Sequence, residues 1–228
     1  MPNDLMNIRI DVSPKIFLKD PYSSELGKSI IMQSLPLIDD FGMEKFTFKK
    51  LACEINSTES AIYRYFENKH KLLLYYVSWY WGWMEYNLVF GIANISDPKQ
   101  KLEMAIKILT RDLADSTNSP FSIVQLNHVV VSESAKAYLT KDVDDANRDG
   151  LYLQFKNLCK RFSGIIEDLA PNYPYAHSMA SSFIQAHLDQ QFFFSHLPSL
   201  TDLENDEMRF QFFSEMIFST LKVWEKKI

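Results

Sequence analysis

Residues 46–73, FTFKKLACEINSTESAIYRYFENKHKLL, set hydrogen-bonding side chains at a spacing that suits surface recognition. The hydroxyls of Thr47, Thr58 and Ser60, the cations of Lys49, Arg64 and Lys69, the carboxylate of Glu59 and the phenols of Tyr63 and Tyr65 all fall inside it. A lysine can donate to guanine O6 or N7, a glutamate can accept from cytosine N4, and a serine can do either. That is the chemistry of reading base edges and holding phosphates, provided the chain presents these groups together.

Two short helices would do so. Thr47 can cap the orphan amides of a helix over 48–55, in which Leu51, Ala52 and Ile55 form the buried stripe. Asn56 tolerates the left-handed conformation of a sharp turn. Thr58 then caps a second helix over 59–66, with Ile62 and Phe66 facing inward. Helices under about a dozen residues are marginal alone, so a third must lie beneath them. Residues 24–41 supply it, with Leu26, Ile30, Ile31, Leu35, Ile38 and Phe41 on the helical period and Gly42 as its C-terminal cap. Pro36 falls inside this helix and predicts a bend there.

Residues 26–74 resemble the N-terminal domain of the TetR (tetracycline repressor) family of bacterial transcription regulators. The resemblance is most specific in IYRYFENKHKLL, residues 62–73. It implies that the second short helix enters the major groove and that Tyr63 and Lys69 hold phosphates. Lys49, Glu59, Ser60 and Tyr65 would reach base edges, and Thr47, Thr58 and Arg64 complete the expected DNA-binding set. Asn56 and Ser57 depart from the family's Gly followed by an aliphatic residue, and Glu59 places an acid where a neutral or basic residue is more usual. Read singly, Tyr63 and Tyr65 are equally half-buried aromatics, and Lys49 and Lys69 solvated surface charges.

Residues 22–76 hold seven basic and seven acidic side chains, a net of zero, whereas a strongly binding DNA module is usually basic. Affinity would then come from two copies acting together on one duplex. Residues 77–228 hold fourteen basic and nineteen acidic residues, the whole net charge of −5, which is not a nucleic-acid surface. With 228 residues, 46% hydrophobic, only six glycines and apolar residues recurring at three and four, the chain is expected to be all-α. The expected plan is a three-helix helix-turn-helix domain followed by an antiparallel helical bundle, about nine helices in total. Cys53 and Cys159 lack metal or redox spacing and read as small core residues in a reducing compartment. No metal or cofactor is expected, and no membrane partner, because there is no secretory signal and no apolar run of about 20 residues. A cytoplasmic location follows. An enzyme is not expected, since neither a Glu-x-x-His pair nor a phosphate loop occurs. A helical module acting through a protein partner is the alternative to DNA binding.

The rest of the chain divides into an extended arm over 1–21, the DNA-binding domain over 22–72, and an effector-binding and dimerisation domain over 73–228. In the arm, Ile8, Ile10 and Val12 alternate with polar residues like a strand, and Arg9, Lys15 or Lys19 can reach a minor groove or the arm can pack on its own domain. Asn68 can cap a long helix to about residue 90, crowded with aromatics. Trp79, Trp83 and Tyr86 on it are either plain core or the wall of a largely apolar effector cavity. His128 and His187 either present a polar group to such a cavity or are buried histidines with hydrogen-bond partners. Further helices are predicted over 99–116, 119–132, 134–139, 143–169, 174–196 and 201–227. The final helix carries two apolar stripes, Phe210, Phe213, Ile217, Leu221 and Trp224, and Phe212, Met216, Thr220 and Val223. Two stripes need two partners, the chain's own core and a second subunit, which predicts a homodimer. Phe183, Leu188, Phe213, Ile217, Thr220 and Trp224 are the expected interface.

Overall fold

The computed structural model describes residues 10–115 and 119–225, and every α or β element among them is helical. Ten α-helices follow one another: α1 (Glu25–Lys45), α2 (Phe48–Glu54), α3 (Glu59–Tyr63), α4 (Lys69–Ile92), α5 (Pro98–Thr110), α6 (Ile123–Tyr138), α7 (Val143–Arg148), α8 (Leu153–Leu169), α9 (Ala176–His196) and α10 (Asp206–Glu225). The all-α expectation therefore holds. Ile8, Arg9 and the start of the strand-like arm lie outside the described residues, as do residues 116–118, where the helix predicted over 99–116 was to end. Two compact units divide the chain: one runs through Gly82 and takes in Leu113–Leu153, the other combines Trp83–Asp112 with the residues from Gln154 onward. Helix α4 belongs to both.

In the first unit, residues 72–81 of α4 are buried on every face, so the aromatics there are structural before they are anything else. Trp79 packs edge-on against Phe121 at 4.7 Å between ring centroids. Three neighbouring rings have their polar ends tied off, whereas Trp79 Nε1 is buried without a hydrogen-bond partner. Tyr76 donates to the Ile31 carbonyl and shares a hydrogen bond with Ser34, each at 2.6 Å. Tyr80 donates to Asn127 at 2.9 Å, and Trp81 Nε1 to the Tyr138 hydroxyl at 2.6 Å.

Helix α1 keeps helical dihedrals through Pro36; its interruption falls instead at Gly42 (φ 70°, ψ 160°). The carbonyl that loses a partner to Pro36 is that of Met32, an exposed residue, where water can serve it. Gly42 occupies backbone space that is essentially closed to side chains. Residues 119–139, predicted as two helices, instead carry the single α6, because Ser132 and Ser134 stay within the ladder, Ser132 donating to the His128 carbonyl at 2.8 Å. The predicted helix over 143–169 is in turn two, separated at Gly150 (φ 75°), whose left-handed backbone stops α7.

The second unit is built on a chain of rings, Phe162 on Phe183 and Phe183 on Phe213, each pair 5.0 Å apart and all three buried. Each such burial is worth about 1.5–3 kcal/mol. Arg209 of α10 is buried here with its guanidinium on the Thr110 carbonyl (3.4 Å) and paired with Asp112, closing the C-terminal end of α5. Helix α10 starts at Asp206 rather than at 201, since the Asn205 side chain takes the Met208 amide at 2.9 Å.

Candidate nucleic-acid interface

The candidate interface lies within the first unit and is assembled by two side-chain caps. Thr47 accepts from the Lys50 amide and Thr58 from the Ala61 amide, both at 3.2 Å. Between them Asn56 adopts φ 49°, and the Ser57 amide returns to the Ala52 carbonyl at 2.8 Å, a left-handed cap made by asparagine where glycine is usual. Leu51, Ala52 and Ile62 are buried, and α2 packs against both α1 and α3. Cys53, read from sequence as a core residue, is exposed instead, because it lies off the Leu51–Ala52 stripe. Cys159 is half-buried, and burial pushes its thiol up to about 11, which leaves it protonated.

Lys49, Ser60 and Arg64 are exposed, Glu59 is half-exposed, and Tyr63 is 48% exposed while its ring rests edge-on against Phe48 at 5.0 Å. These five, with the two capping threonines, share the outer surface of α2 and α3. Tyr65 does not. Helix α3 ends at Tyr63, shorter than predicted, because the Ile62 carbonyl takes the amides of both Tyr65 and Phe66 in a turn. That turn swings Tyr65 inward, where it is 3% exposed and shares a hydrogen bond with Ser24 at 2.6 Å. Lys19 donates to the same hydroxyl at 3.2 Å. The hydrogen bond with Ser24, aided by Lys19, holds the phenol below its ordinary range. Its expected reach to a base edge is corrected to a structural tie.

Lys69 is also placed differently from the expectation. Its ammonium donates to the carbonyls of Met43 (2.6 Å), Glu44 (3.2 Å) and Phe46 (3.2 Å), which employs all three of its N–H groups. It closes the negative end of α1, and a phosphate would have to compete with those carbonyls. The described part of the arm packs on its own domain. Ile16 is buried, the Leu18 amide donates to the Tyr65 carbonyl at 2.7 Å, and Lys15 pairs with Asp149 at 2.6 Å.

Sequence reasoning passed over Glu133 on α6, whose carboxylate is 7% exposed and accepts from the Met43 amide at 3.0 Å. The signal was present: Leu126, Val129, Val130 and Ala137 make an apolar stripe, and Glu133 stands on it.

The residues proposed to line an effector cavity do not converge on one. Trp79 and Trp83 are buried, Tyr86 is 38% exposed with its ring tilted against Phe90, and His128 lies at the surface 3.6 Å from Asp39. His187 is buried, beside Gln191 at 2.6 Å. None of them lines either of two clefts. One, of about 490 Å³, lies between the start of α4 and α7, with His70, Lys71, Asp142, Asp145 and Asp149 in its walls. The other, of about 550 Å³ in the second unit, is lined by Glu85, Lys101, Asn157, Lys160, Arg161 and Asp168. Charged side chains stand in the walls of both, although apolar atoms make up most of the first and polar atoms most of the second. Among the described residues no cluster of His, Cys, Asp and Glu forms a metal site, and no helix is long and apolar enough to cross a membrane.

Phe183, Leu188, Phe213 and Ile217 are at most 2% exposed in the single chain, so they form its own core and cannot face a partner. The other stripe is the free one, with Phe212 44% and Met216 39% exposed and Thr220 exposed beside them. The side chains of Val223 and Trp224 lie outside those described.

Residues 30–76 match the family model described as bacterial regulatory proteins, tetR family. No curated protein sequence matches the chain. Among solved structures it is similar to AibR in complex with isovaleryl coenzyme A and operator DNA, at 16% identity and a TM-score of 0.58, covering 83% of this chain and 96% of that one. It is also similar to a transcriptional regulator from Rhodococcus sp. Rha1, at 14% identity and a TM-score of 0.62, covering 90% and 97%. A third likeness, to the superantigen PfiT, has 13% identity and a TM-score of 0.53 over 90% and 97%. At these identities the structural likenesses establish the fold, which hosts more than one role.

Proposed function

We propose, from the match of residues 30–76 to the model of the bacterial tetR-family regulatory proteins, that this chain is a cytoplasmic, ligand-responsive transcription regulator that binds a palindromic operator as a homodimer and represses. The observation that carries the reading is the outward presentation of Ser60, Tyr63 and Arg64 by a capped helix in which Ile62 is the one buried residue. Such a helix fits the major groove, with Lys49, Glu59 and Ser60 at base edges and Tyr63 on phosphate. Residues 22–72 serve as the DNA-binding domain and 73–228 as the sensing and dimerisation domain.

The neutral charge of residues 22–76 gives one copy little affinity. Two copies joined through the exposed stripe of Phe212, Met216 and Thr220 overcome this, because the second half-site is then bound at high effective concentration. The pairing of operator DNA with isovaleryl coenzyme A in the AibR complex supports a small-molecule effector here. The effector is largely apolar and opens the packed aromatics around Trp79 or Trp83, shifting α4 and with it the spacing of the two reading helices.

The test is a titration against DNA upstream of the protein's own gene at low and physiological salt. The expected result is saturable binding that weakens with salt, uniformly reduced by Tyr63→Phe and changed in sequence preference by Ser60→Ala or Lys49→Ala. Absence of binding at both salts would overturn the reading in favour of a helical module acting through a protein partner, which the neutral domain and Glu59 favour.

A further inference from the structure

The junction between α1 and α2 is held at both electrical poles by other helices. Gly42 breaks α1, which takes the Met43 amide out of the helical ladder, and Glu133 Oε1 of α6 accepts it at 3.0 Å. One residue on, the carbonyls of Met43, Glu44 and Phe46 converge on the Lys69 ammonium of α4. Thr47, the cap of α2, follows directly. The second carboxylate oxygen of Glu133 pairs with Lys136 at 2.7 Å, and Lys136 lies 3.7 Å from Glu44, so one ammonium bridges two carboxylates at the edge of the site. That pairing with Glu133 raises the Lys136 pKa. A buried carboxylate is costly unless it is paired and hydrogen-bonded, and this one satisfies a backbone donor that would otherwise be orphaned.

We propose that Glu133 is a positioning residue for DNA reading: by fixing the Met43 amide it sets the path from Gly42 to Thr47, and so the placement of α2 and α3, and it makes α6 a second mechanical input to the reading unit beside α4. The proposal rests on the DNA-reading role inferred above and adds the residue through which α6 acts. A carboxylate kept only to fill space would be replaceable by leucine, since apolar residues often substitute for buried charges without loss of stability. A carboxylate that positions the amide would be replaceable by glutamine, whose side-chain oxygen can still accept.

The experiment compares the full-length wild type with Glu133→Leu and Glu133→Gln, well below the melting temperature of each. Hydrogen exchange is read by mass spectrometry over residues 42–48, and affinity is measured for a duplex that the wild type recovers from a random-sequence pool, against a scrambled duplex. The expected result is faster exchange over 42–48 and about tenfold weaker binding for Glu133→Leu, with Glu133→Gln close to wild type in both. Wild-type exchange and affinity in Glu133→Leu, or a Glu133→Gln variant as impaired as Glu133→Leu, would overturn the assignment. Should the wild type recover no duplex, the DNA-reading role fails by itself, and the positioning claim falls with it even if the exchange result shows that Glu133 holds the junction.

Discussion

Stability in the second unit should depend on pH through one buried ring. His187 is 5% exposed, lies edge-on to Phe213 with centroids 6.0 Å apart, and accepts at Nε2 from the Gln191 amide at 2.6 Å. Burial, with Arg209 acting in the same direction, pushes its pKa from 6.5 down to about 3. The folded ring is therefore neutral from pH 7 down to about pH 3, whereas the unfolded ring gains a proton as pH falls through 6.5. The unfolded state binds more protons in that window, so the contribution of His187 is whole above pH 6.5 and is lost as pH falls toward 3. Each unit costs about 1.4 kcal/mol, so the loss between pH 7 and pH 5 is about 2 kcal/mol. Urea unfolding followed by circular dichroism at those two values, for the wild type and His187→Gln, isolates the term, because carboxylates titrate alike in both proteins. The wild type should lose about 2 kcal/mol more than the variant. Equal losses would refute the claim that the folded ring stays neutral.

Other substitutions test separate parts of the structure. Gly42→Ala should cost about 1–3 kcal/mol, because φ 70° and ψ 160° exclude a side chain and its Cβ would also press to 3.2 Å on Glu133 Oε1; thermal melting reads this. Phe212→Glu should abolish self-association in sedimentation velocity while leaving helicity intact. Phe213→Ala, by contrast, should destabilise the fold itself by about 3–5 kcal/mol, since that ring lies in the core. Tyr65→Phe should lower the melting temperature by cutting the tie to Ser24 and Lys19 and leave sequence preference unchanged, as its side chain faces inward.

What was legible in the sequence was local. Thr47, Thr58 and Asn68 each cap a helix through their own side chains, since a cap needs only a hydroxyl or carboxamide oxygen two or three residues ahead of the amide it accepts from. Helix type and order followed from the three-and-four recurrence of apolar residues. Tyr65, Lys69 and Glu133 escaped because their partners are distant in sequence: Ser24, Met43 and Met43 lie 41, 26 and 90 positions away. On α10 the sequence offered two apolar stripes, and only packing distinguished the core stripe from the free one. The aromatic run of α4 was equally ambiguous, as a buried core and a cavity wall draw on the same residues.

The short α3 also bears on how this surface can change over generations. Of its five residues only Ile62 is buried, so the fold draws on Ile62 and on the Thr58 cap, while the outward side chains contribute little to stability. Substitutions at Glu59, Ser60 and Arg64 are thus nearly free of folding cost, and Tyr63 adds its edge contact with Phe48. Under the proposed reading role, specificity can drift there while the scaffold stands still. A library confined to those four positions would sample new sequence preferences in proteins that nearly all fold.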